Sequence, residues 1–442
     1  MTHNIMAVVL AAGQGTRMKS KTPKVLHRLA HLPLVQHVAR LLDALGCGNR
    51  VLVTAPNMED VRGEVSNFTH AIQEKALGTG HAVLAAKSQI TGKDDVLILY
   101  GDTPLVTSET VQAMIQEKES AGADMAVLGM RLEDPGHYGR LVGNAEGFVE
   151  RIVEYKDANA EERSIDFCNS GIVLISGQHV LELLQSIDNK NAKGEYYLTD
   201  IIELGAKKGL KAIAVEGDPE EFMGVNAPED LAAAEYLFQE RQRLSFLAEG
   251  VRMQDPTTVY FAYDTEIDPD VFLEPHVYFG PGVSIATGST VRAFSHLEGC
   301  IIQEGASVGP FARIRPGTNL GKNARVGNFV EIKKSTVGEG SKVSHLSYVG
   351  DAEIGQDVNI GAGTITCNYD GYRKNKTTIK DNVFIGSNSA LVAPITIGEN
   401  ALVGAGSTLT QDVAKDGLAL SRKEQANIDN GAKKFRAKYG KN

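Results

Sequence analysis

The sequence after Gly250 repeats with a period of six residues. In each unit a small or β-branched residue is followed two positions later by a second, mostly apolar residue, and glycine often comes next. The pairs that show the period are Val271/Leu273, Val277/Phe279, Val283/Ile285, Ser289/Val291, Ala306/Val308, Ala312/Ile314, Thr318/Leu320, Ala324/Val326, Val330/Ile332, Ala352/Ile354, Val358/Ile360, Thr364/Thr366, Val383/Ile385, Ser389/Leu391, Ile395/Ile397, Ala401/Val403 and Ser407/Leu409. The period predicts a parallel β-helix, in which three units close one triangular coil of about 18 residues.

The two residues of each pair have different tasks in such a coil. The first points into a narrow prism and must be small, and the second fills the rest of the core. One coil cannot bury its own inner face, so successive coils must stack. The competing interpretation, a β-sandwich, requires alternating polarity and strands spaced by about eight to twelve residues, and the sequence lacks both. The stretch CNYDGYRKNKTTIKDN at 367–382 interrupts the period and predicts an inserted loop, a frequent carrier of function on a rigid scaffold.

The first half of the chain has a different pattern. Short apolar runs alternate with helical patterns over 1–226, which predicts a Rossmann-like α/β domain with a mostly parallel sheet covered on both faces. Ligands of such sheets bind beyond the carboxyl ends of the strands. The predicted strands are 5–12, 49–55, 95–102, 124–130 and 171–176, and the predicted helices are 25–45, 80–90 and 108–122.

A fourth helical stretch, at 228–248, connects the two halves. Pro228 suits a first helical turn, and Glu229 and Asp230 favour a helix N-terminus. The predicted organisation is therefore a nucleotide-binding domain, a linker helix, a β-helix domain and a tail whose helical, lysine- and arginine-containing pattern is compatible with packing on a neighbouring chain. The predicted bounds are 1–227, 228–249, 250–422 and 423–442.

Composition excludes several classes of protein. The net charge of -10 argues against nonspecific nucleic-acid binding, which needs a basic surface. The four cysteines are widely spaced and form no CxxC pair, so reduced thiols in a cytoplasmic protein are expected rather than disulfides or a zinc site. The N-terminal apolar run is too short to cross a membrane and leads directly into a glycine loop, so it predicts a buried strand and no membrane association.

That glycine loop is the stretch LAAGQGTRMKSKTPK at 10–24. A dinucleotide fingerprint is weak, because Met18 stands where a third glycine is expected. A Walker A loop is excluded by the lack of Gly-Lys-Ser. A loop of backbone amides followed by Arg17 and Lys24 suits a triphosphate whose α-phosphorus is attacked while pyrophosphate leaves, and both cations would be catalytic. The alternative is a glycine turn beside a solvated basic patch.

The same stretch resembles the signature of the sugar-1-phosphate nucleotidylyltransferases. Combined with a hexapeptide β-helix that carries CNYDG, nearly all of 1–422 resembles the bifunctional N-acetylglucosamine-1-phosphate uridylyltransferase/glucosamine-1-phosphate acetyltransferases. The resemblance implies a left-handed β-helix. It also implies an enzyme that acetylates glucosamine 1-phosphate with acetyl-CoA and then transfers UMP from UTP, giving UDP-N-acetylglucosamine and pyrophosphate. This product is a precursor of bacterial cell-wall polymers.

The resemblance assigns residues to a uridylyl site, which binds the nucleotide and the sugar. An amide such as that of Gln73 can pair with uracil because it offers one donor and one acceptor edge, although taken alone it reads as a surface glutamine. The implied contacts are Leu10, Ala11, Ala12, Gly13, Lys24, Gln73, Gly78, Thr79, Tyr100, Gly101, Asp102, Gly139, Glu154, Asn169 and Asn226.

The resemblance also implies a Mg²⁺ ion in the uridylyl site. Asp102 follows the apolar run that ends in YGD, and the family's second ligand matches Asn226. One carboxylate, one amide oxygen, phosphate oxygens and waters make a suitable shell of hard ligands. Without the family, Asp102 could equally be a turn residue before Thr-Pro.

The acetyl site is predicted on the β-helix. His345 matches the family's general base, a task that suits an imidazole near neutral pH, whereas a lone histidine is more often structural. The implied sugar-phosphate residues are Arg315, Lys333, Tyr348, Asn359 and Lys374, and the implied acetyl-CoA contacts are Ala362, Asn368, Tyr369, Ser387, Ala405 and Arg422. Arg315 and Lys333 could instead be solvated decoration of the coils, and Tyr369 could cap the prism.

These groups lie far apart along a straight prism, so a homotrimer is predicted in which a neighbouring chain completes the site. Two other interpretations stay open from the sequence. One is a single-function sugar-1-phosphate nucleotidylyltransferase with a structural β-helix. The other is a non-enzymatic regulatory scaffold like the guanine-nucleotide-exchange subunits of translation initiation. His345 and CNYDG disfavour the first, and Lys24 and Asp102 disfavour the second.

Overall fold

The computed structural model describes residues 4–422 and 424–440. The chain divides into two compact units, Met1–Arg241 and Gln242–Asn442. In the described ranges, no helix combines the length and the apolarity that crossing a membrane requires.

The first unit is an α/β domain. Single-turn 3-10 helices occur at Thr16–Met18, Lys24–Leu26 and Pro219–Phe222. Its strands and helices are β1 Ile5–Leu10, β2 Arg28–Leu29, β3 Leu32–Pro33, α1 Leu34–Ala44, β4 Asn49–Thr54, α2 Glu59–Glu64, β5 Thr69–Ile72, α3 Thr79–Ala85, β6 Asp95–Tyr100, α4 Ser108–Ser120, β7 Met125–Arg131, β8 Arg140–Gly143, β9 Val149–Val153, α5 Ala160–Arg163, β10 Phe167–Ile175, α6 Gly177–Ser186, α7 Asp200–Lys207 and β11 Ala212–Glu216, after which α8 spans Pro228–Ala248.

The main sheet of this unit has the strand order β11-β7-β10-β6-β1-β4-β5, with β8 and β9 paired beside β10. Strand β1 runs parallel to both of its neighbours, and only β10 and the β8–β9 pair introduce antiparallel contacts. Alternate residues of β1 pack into two different cores: Ala7 and Val9 on one face, Met6 and Val8 on the other. The predicted mostly parallel sheet, covered on both faces, is therefore confirmed.

One predicted helix is wrong over its first half. Only Leu34–Ala44 of the predicted 25–45 is α-helical. Before it, Ala30 and His31 adopt positive φ and turn the chain between β2 and β3, which pair antiparallel. Pro33 then sets the start of α1, because its ring fixes φ and removes a hydrogen-bond donor. The predicted helix 80–90 also ends early, at Ala85.

The second unit is a parallel β-helix with three faces, which we call A, B and C in the order in which each coil visits them. Face A holds β12 Arg252–Met253, β14 Phe272–Leu273, β17 Thr290–Val291, β20 Ser307–Val308, β23 Arg325–Asn328, β26 Lys342–His345, β29 Asn359–Ile360, β32 Phe384–Ile385, β35 Leu402–Val403 and β37 Leu418–Ala419. Face B holds β15 Tyr278–Phe279, β18 His296–Leu297, β21 Arg313–Ile314, β24 Glu331–Lys333, β27 Tyr348–Gly350, β30 Ile365–Cys367, β33 Ala390–Val392 and β36 Thr408–Leu409. Face C holds β13 Glu266–Ile267, β16 Ser284–Ile285, β19 Cys300–Ile302, β22 Thr318–Leu320, β25 Thr336–Val337, β28 Ala352–Ile354, β31 Thr377–Ile379 and β34 Ile395–Ile397.

The six-residue period predicts the interior of this prism. The apolar members of the predicted pairs form one continuous buried cluster along the prism, from Val271 and Leu273 to Leu409. The neighbouring strands of each face pair in parallel, as the stacking of coils requires. The predicted left-handed parallel β-helix of hexapeptide repeats is confirmed.

Two features of the coils differ from the prediction. Coils of 17 residues occur beside coils of 18: Phe272 pairs with Thr290, but Ser284 pairs with Ile301. The predicted interruption at 367–382 is shorter, because β31 resumes the prism at Thr377, which is fully buried. The inserted loop is therefore 368–376. A 3-10 turn at Pro256–Thr258 precedes the regular coils, and the tail forms an exposed helix, α9 Gly431–Tyr439.

Candidate functional sites

The first unit has a cavity of about 340 Å³ at the carboxyl ends of β1 and β6. Sequence reasoning predicted a ligand at this edge. The cavity is lined by predicted residues Leu10, Ala11, Ala12, Gly13, Lys24, Gln73, Gly78, Thr79, Tyr100 and Asp102, together with Val25, Ala76, Ala82 and Glu195. The last four were not predicted, and of these Glu195 adds a carboxylate that no pattern in the sequence marks.

Two glycines position the backbone around this cavity. Gly15 has φ +61°, and a Cβ built on it would lie 2.5 Å from Cβ of Lys24. Gly78 has φ +118°, and its Cβ would lie 2.5 Å from the carbonyl oxygen of Tyr196. Any other residue at these positions would be strained and would displace its neighbour. The glycine loop is therefore needed to bring Lys24 against the loop that follows β1.

Lys24, Asp102 and Asn226 contact one another at the same edge of the sheet. The Lys24 ammonium forms an ion pair with the Asp102 carboxylate and donates to Oδ1 of Asn226 at 3.1 Å. The backbone supports both partners: Val225 N–H donates to the Asp102 carbonyl at 2.8 Å, and the Asp230 carboxylate accepts from the Asn226 N–H at 2.9 Å. Oxygen atoms of Asp102 and Asn226, which are distant from each other and from Lys24 in the sequence, thus both point at the Lys24 ammonium.

This donor set fits a hard divalent cation. A carboxylate oxygen and an amide oxygen are suitable Mg²⁺ ligands, and Mg²⁺ commonly keeps several waters and phosphate oxygens besides one or two protein groups. The Lys24 ammonium already stands where both oxygens converge. Among the described residues, no group of three or more His, Cys, Asp or Glu side chains could hold a metal, so any metal at this edge depends on a small protein ligand set.

Two cavity residues are held in place by hydrogen bonds. The Gln73 amide is buried and donates to the Gly78 carbonyl at 3.1 Å, which fixes its orientation. The hydroxyl of Thr79 accepts from Leu198 N–H at 3.0 Å. Burial raises the pKa of the Tyr100 hydroxyl, which stays protonated. The cavity therefore offers fixed neutral donors and acceptors beside one charged corner.

Gly139, Glu154 and Asn169 lie together and are not among the residues that line this cavity, although the Glu154 carboxylate is close enough to Tyr100 to help raise the pKa of that hydroxyl. Asn169 N–H donates to the Gly139 carbonyl at 2.9 Å, and Glu154 accepts from the Thr199 hydroxyl at 3.3 Å. Burial raises the pKa of Glu154, which lines a second, acidic cavity of about 270 Å³. The amide of Gly101 donates to the Leu10 carbonyl at 2.9 Å and joins the ends of β1 and β6.

Arg17, the other predicted catalytic cation, is exposed on its 3-10 turn. Among the described residues that line the two cavities, Arg17 is not included. The structure thus joins Lys24 to Asp102 and Asn226 but does not join Arg17 to them.

On the β-helix, His345 ends β26 at the corner between faces A and B. Its Nδ1 lies 2.6 Å from Oδ1 of Asn328, its register partner on the preceding coil. Because an amide oxygen only accepts, Nδ1 carries the proton, and Nε2 keeps its lone pair. Asn328, which the sequence did not single out, thus gives His345 the tautomer that a general base needs.

The predicted acetyl-CoA contacts Ala362, Ser387, Ala405 and Arg422 continue along this corner, one coil after another. Backbone bonds link the column: Gly363 N–H donates to the His345 carbonyl at 3.2 Å, Asn388 N–H to Ala362 at 2.7 Å and Gly406 N–H to Ser387 at 2.8 Å. The Arg422 guanidinium donates to the Ala405 carbonyl at 2.9 Å. Small residues therefore leave an open path from the imidazole along the corner.

The predicted sugar-phosphate residues occupy two faces. Lys333 and Tyr348 belong to face B, and Arg315 directly follows the face-B strand β21, whereas Asn359 belongs to face A. Arg315 pairs with the carboxylate of Glu331 at 2.6 Å, and Glu331 stands in register with Tyr348. Glu331 was not predicted, and it places a carboxylate against Arg315, one of the two cations of the proposed phosphate clamp.

The inserted loop holds Asn368, Tyr369 and Lys374. The Asn368 amide bonds to the Asp351 carboxylate, and the Lys374 ammonium lies 4.6 Å from the centre of the Tyr369 ring. Lys374 also lines a cavity of about 310 Å³ with Lys334, Asp351 and Glu353. This cavity lies beyond face B, so the structure does not bring Lys374 to the corner of His345.

Comparison with known proteins agrees with the two units. The MobA-like NTP transferase domain matches residues 7–169, and the bacterial transferase hexapeptide (six repeats) matches residues 376–411. "Bifunctional protein GlmU" of Paramagnetospirillum magneticum is 48% identical over 435 residues, 98% of this chain and 97% of that protein. The proteins of the same name from Ruegeria sp. and Agrobacterium fabrum are 49% and 50% identical, over 97% and 96% of this chain and 96% and 94% of their own lengths.

The chain belongs to the bifunctional GlmU family. The predicted family membership is confirmed, and so is the prediction of a bifunctional enzyme with uridylyltransferase and acetyltransferase activities. None of these GlmU relatives favours the single-function alternative or a non-enzymatic scaffold. The GlmU match spans both units, whereas each domain match lies within one of them and covers part of it.

Proposed function

We propose that this GlmU protein uses the cavity at the ends of β1 and β6 for uridylyl transfer. The acceptor phosphate oxygen of N-acetylglucosamine 1-phosphate is already ionised and attacks the α-phosphorus of UTP, while the bond to pyrophosphate breaks. No side-chain nucleophile is required, so the enzyme accelerates the reaction by positioning the two substrates and neutralising the charge of the phosphates. Lys24 neutralises phosphate charge, Gln73 and Gly78 hold the uracil, and Arg17 joins from the exposed loop.

Mg²⁺ fits Asp102 and Asn226, and when bound it would neutralise charge on the phosphates. Glu154 offers a carboxylate, Asn169 an amide and Gly139 its backbone as partners for the hydroxyl and N-acetyl groups of the sugar. The Asn169 side chain accepts from the Gly171 N–H, and Gly171 lies against the Tyr100 ring of the main cavity, so one nucleotide sugar can extend across both groups of residues. Support comes from the convergence of Lys24 with Asp102 and Asn226 at the sheet edge.

For acetyl transfer, we propose that His345 Nε2 removes a proton from the 2-amino group of glucosamine 1-phosphate as its nitrogen attacks the thioester carbonyl of acetyl-CoA. The carbon–sulfur bond breaks, and coenzyme A leaves as the thiol after taking up a proton. Arg315 and Lys333 hold the sugar phosphate, and the small corner residues Ala362 and Ser387 leave room for acetyl-CoA. The hydrogen bond that His345 Nδ1–H donates to Asn328 Oδ1 is the observation that carries this assignment.

A homotrimer is also proposed, because the predicted acetyl-site residues of one chain face different directions. Asn359 lies on face A, whereas Lys333 lies on face B. Below His345, the same corner carries the stacked rings of Phe294, Phe311 and Phe329, which are 52%, 46% and 55% exposed. This continuous exposed apolar ridge lies beside an acetyl site whose residues in one chain are on different faces. Both features favour contact with a second copy of the chain.

We further propose a cytoplasmic enzyme with the domain bounds 1–227, 228–249, 250–422 and 423–442, whose product supplies cell-wall polymer synthesis. Reduced, widely spaced cysteines support this location. The α8 helix would be the linker, and α9 of the tail is free to contact a neighbouring chain.

The test uses the full chain with glucosamine 1-phosphate, acetyl-CoA, UTP and Mg²⁺. Free thiol reports acetyl transfer, and pyrophosphate reports uridylyl transfer. We expect His345→Ala to abolish thiol release but to release pyrophosphate normally when N-acetylglucosamine 1-phosphate is supplied. His296→Ala, on face B three coils earlier, is the matched control. Thiol release by the His345 variant at the wild-type rate would refute the acetyl-site assignment.

A further inference from the structure

The position of Lys24 carries an inference that rests on the proposed metal role of Asp102 and Asn226. We propose that the Lys24 ammonium occupies the metal-binding oxygens in the ligand-free enzyme and must leave them before a divalent cation binds. Metal binding without nucleotide is then weak, and the triphosphate, by attracting Lys24 away, releases the oxygens. Lys24 thereby couples metal binding to nucleotide binding.

The contacts of Lys24 support this competition. Its ammonium contacts the only oxygens predicted as protein ligands, by an ion pair with Asp102 and a bond of 3.1 Å to Asn226. The side chains of Lys24 and Asp102 are only 13% and 16% exposed, so water screens the pair weakly. A second cation on the same two oxygens would lie within a few ångströms of the ammonium, where repulsion between like charges is strong.

The Lys24 ammonium can move from these oxygens to the phosphates of a bound triphosphate. It lines the same cavity as Gly13, at the loop whose backbone amides are suited to phosphates. A triphosphate in this cavity presents several negative oxygens to a flexible side chain with three donors. Moving the ammonium from the carboxylate to the phosphates keeps its charge neutralised and exposes the Asp102 and Asn226 oxygens.

Such coupling is reciprocal. If UTP increases the affinity for a divalent cation by displacing Lys24, the cation increases the affinity for UTP by the same factor. Removing the ammonium must therefore do two things at once. It must strengthen cation binding in the absence of nucleotide, and it must reduce the increase that UTP produces.

The test measures Mn²⁺ binding by the electron paramagnetic resonance signal of free Mn²⁺, with and without UTP and without sugar phosphate, so that no turnover occurs. We expect Lys24→Met to bind Mn²⁺ alone at least tenfold more tightly than wild type, and UTP to enhance binding less in this variant. Lys21→Met removes the same charge from an exposed position of the loop and should change Mn²⁺ affinity less than twofold. Unchanged acetyltransferase activity and a cooperative thermal transition show that both variants are folded.

Three results would contradict the proposal in distinguishable ways. Equal Mn²⁺ affinity of wild type and Lys24→Met, with loss of binding in Asp102→Asn, would keep the metal site but remove the competition. An equal gain in Lys21→Met would reduce the effect to general charge. Undiminished binding in the double variant Lys24→Met/Asp102→Asn would put the metal elsewhere and overturn the metal assignment itself.

Discussion

Asn328 Oδ1 lies 2.6 Å from His345 Nδ1, and the two residues face each other on neighbouring coils of face A. The amide oxygen can only accept, so it holds the proton on Nδ1 and stabilises the imidazolium that forms when Nε2 takes up a proton. Asn328 is therefore a positioning residue for the proposed general base.

We predict that Asn328→Ala lowers kcat for acetyl transfer about 10- to 100-fold, because a hydrogen bond to a charged group contributes about 1.5–3 kcal/mol. The KM for acetyl-CoA and the rate of uridylyl transfer should not change, as measured by thiol and pyrophosphate release. Asn319→Ala removes a comparable bond between coils, to Gln303 at 3.2 Å, and should keep full activity. Full acetyl transfer by Asn328→Ala would exclude this role.

Asp102→Asn should separate the two activities in the opposite direction. The substitution keeps the shape of the side chain but removes the charge that pairs with Lys24 and that suits Mg²⁺. We expect uridylyl transfer to fall more than about 100-fold, a loss of about 3 kcal/mol of transition-state stabilisation, while acetyl transfer is retained. Asp60→Asn, an exposed carboxylate on α2, controls for net charge. Equal loss of both activities in a folded Asp102 variant would contradict the assignment of this site.

The period of the sequence predicted the interior of the β-helix but not the contact between Asn328 and His345. A uniform coil of 18 residues would place position 327 opposite His345, whereas the coil here has 17 residues and places Asn328 there. The period is visible in the sequence because every inward-facing position is buried and is therefore restricted to small or apolar residues. The length of an individual coil is set at its corners, where polar and apolar residues both occur, so single-residue register cannot be read from the repeat.

In the first unit, the strand pattern placed the glycine loop after β1 and the end of β6 at the ligand edge, because the ends of buried parallel strands meet there, and the family resemblance assigned the individual residues. Sequence reasoning did not find that Ala30 and His31 turn the chain before α1, since alanine seldom adopts positive φ and one histidine is a weak turn signal. Nor could it find the ion pair of Lys24 with Asp102, because the two residues come from elements that only the folded sheet brings together. Tertiary contacts of this kind determine which side chains meet in the site.

The neighbouring residues Ile301 and Ile302 test the prism core. Ile302 is 0% exposed inside the β-helix, whereas Ile301 on the same strand is 51% exposed. We predict that Ile302→Ala costs about 2–5 kcal/mol, the sum of lost transfer free energy and a cavity, and that Ile301→Ala costs less than about 1 kcal/mol. Calorimetry of the β-helix transition measures both. If Ile302→Ala does not fold, Ile302→Val should cost about 0.5–1.5 kcal/mol. Equal effects at the two positions would contradict the predicted alternation.

Asp200, the first residue of α7, is predicted to make stability depend on pH. Burial, followed by repulsion from Asp188, Glu203 and other carboxylates, raises its pKa from 3.8 to about 6, so burial outweighs the helix N-terminus that favours a charge there. The folded chain then binds a proton more tightly than the unfolded chain, and this residue destabilises the fold increasingly as the pH rises from about 4 to about 6. Asp200→Asn removes the ionisation.

Because the Asp200 side chain keeps some contact with solvent, we expect the free energy of unfolding of Asp200→Asn to exceed that of wild type by about 1–2 kcal/mol above pH 6 and to equal it below pH 4. The comparison is the pH dependence of the melting temperature of both proteins, with the exposed neighbour Asp188→Asn expected to give a smaller gain. A variant that is no more stable than wild type at pH 7 would show that water reaches this carboxylate freely.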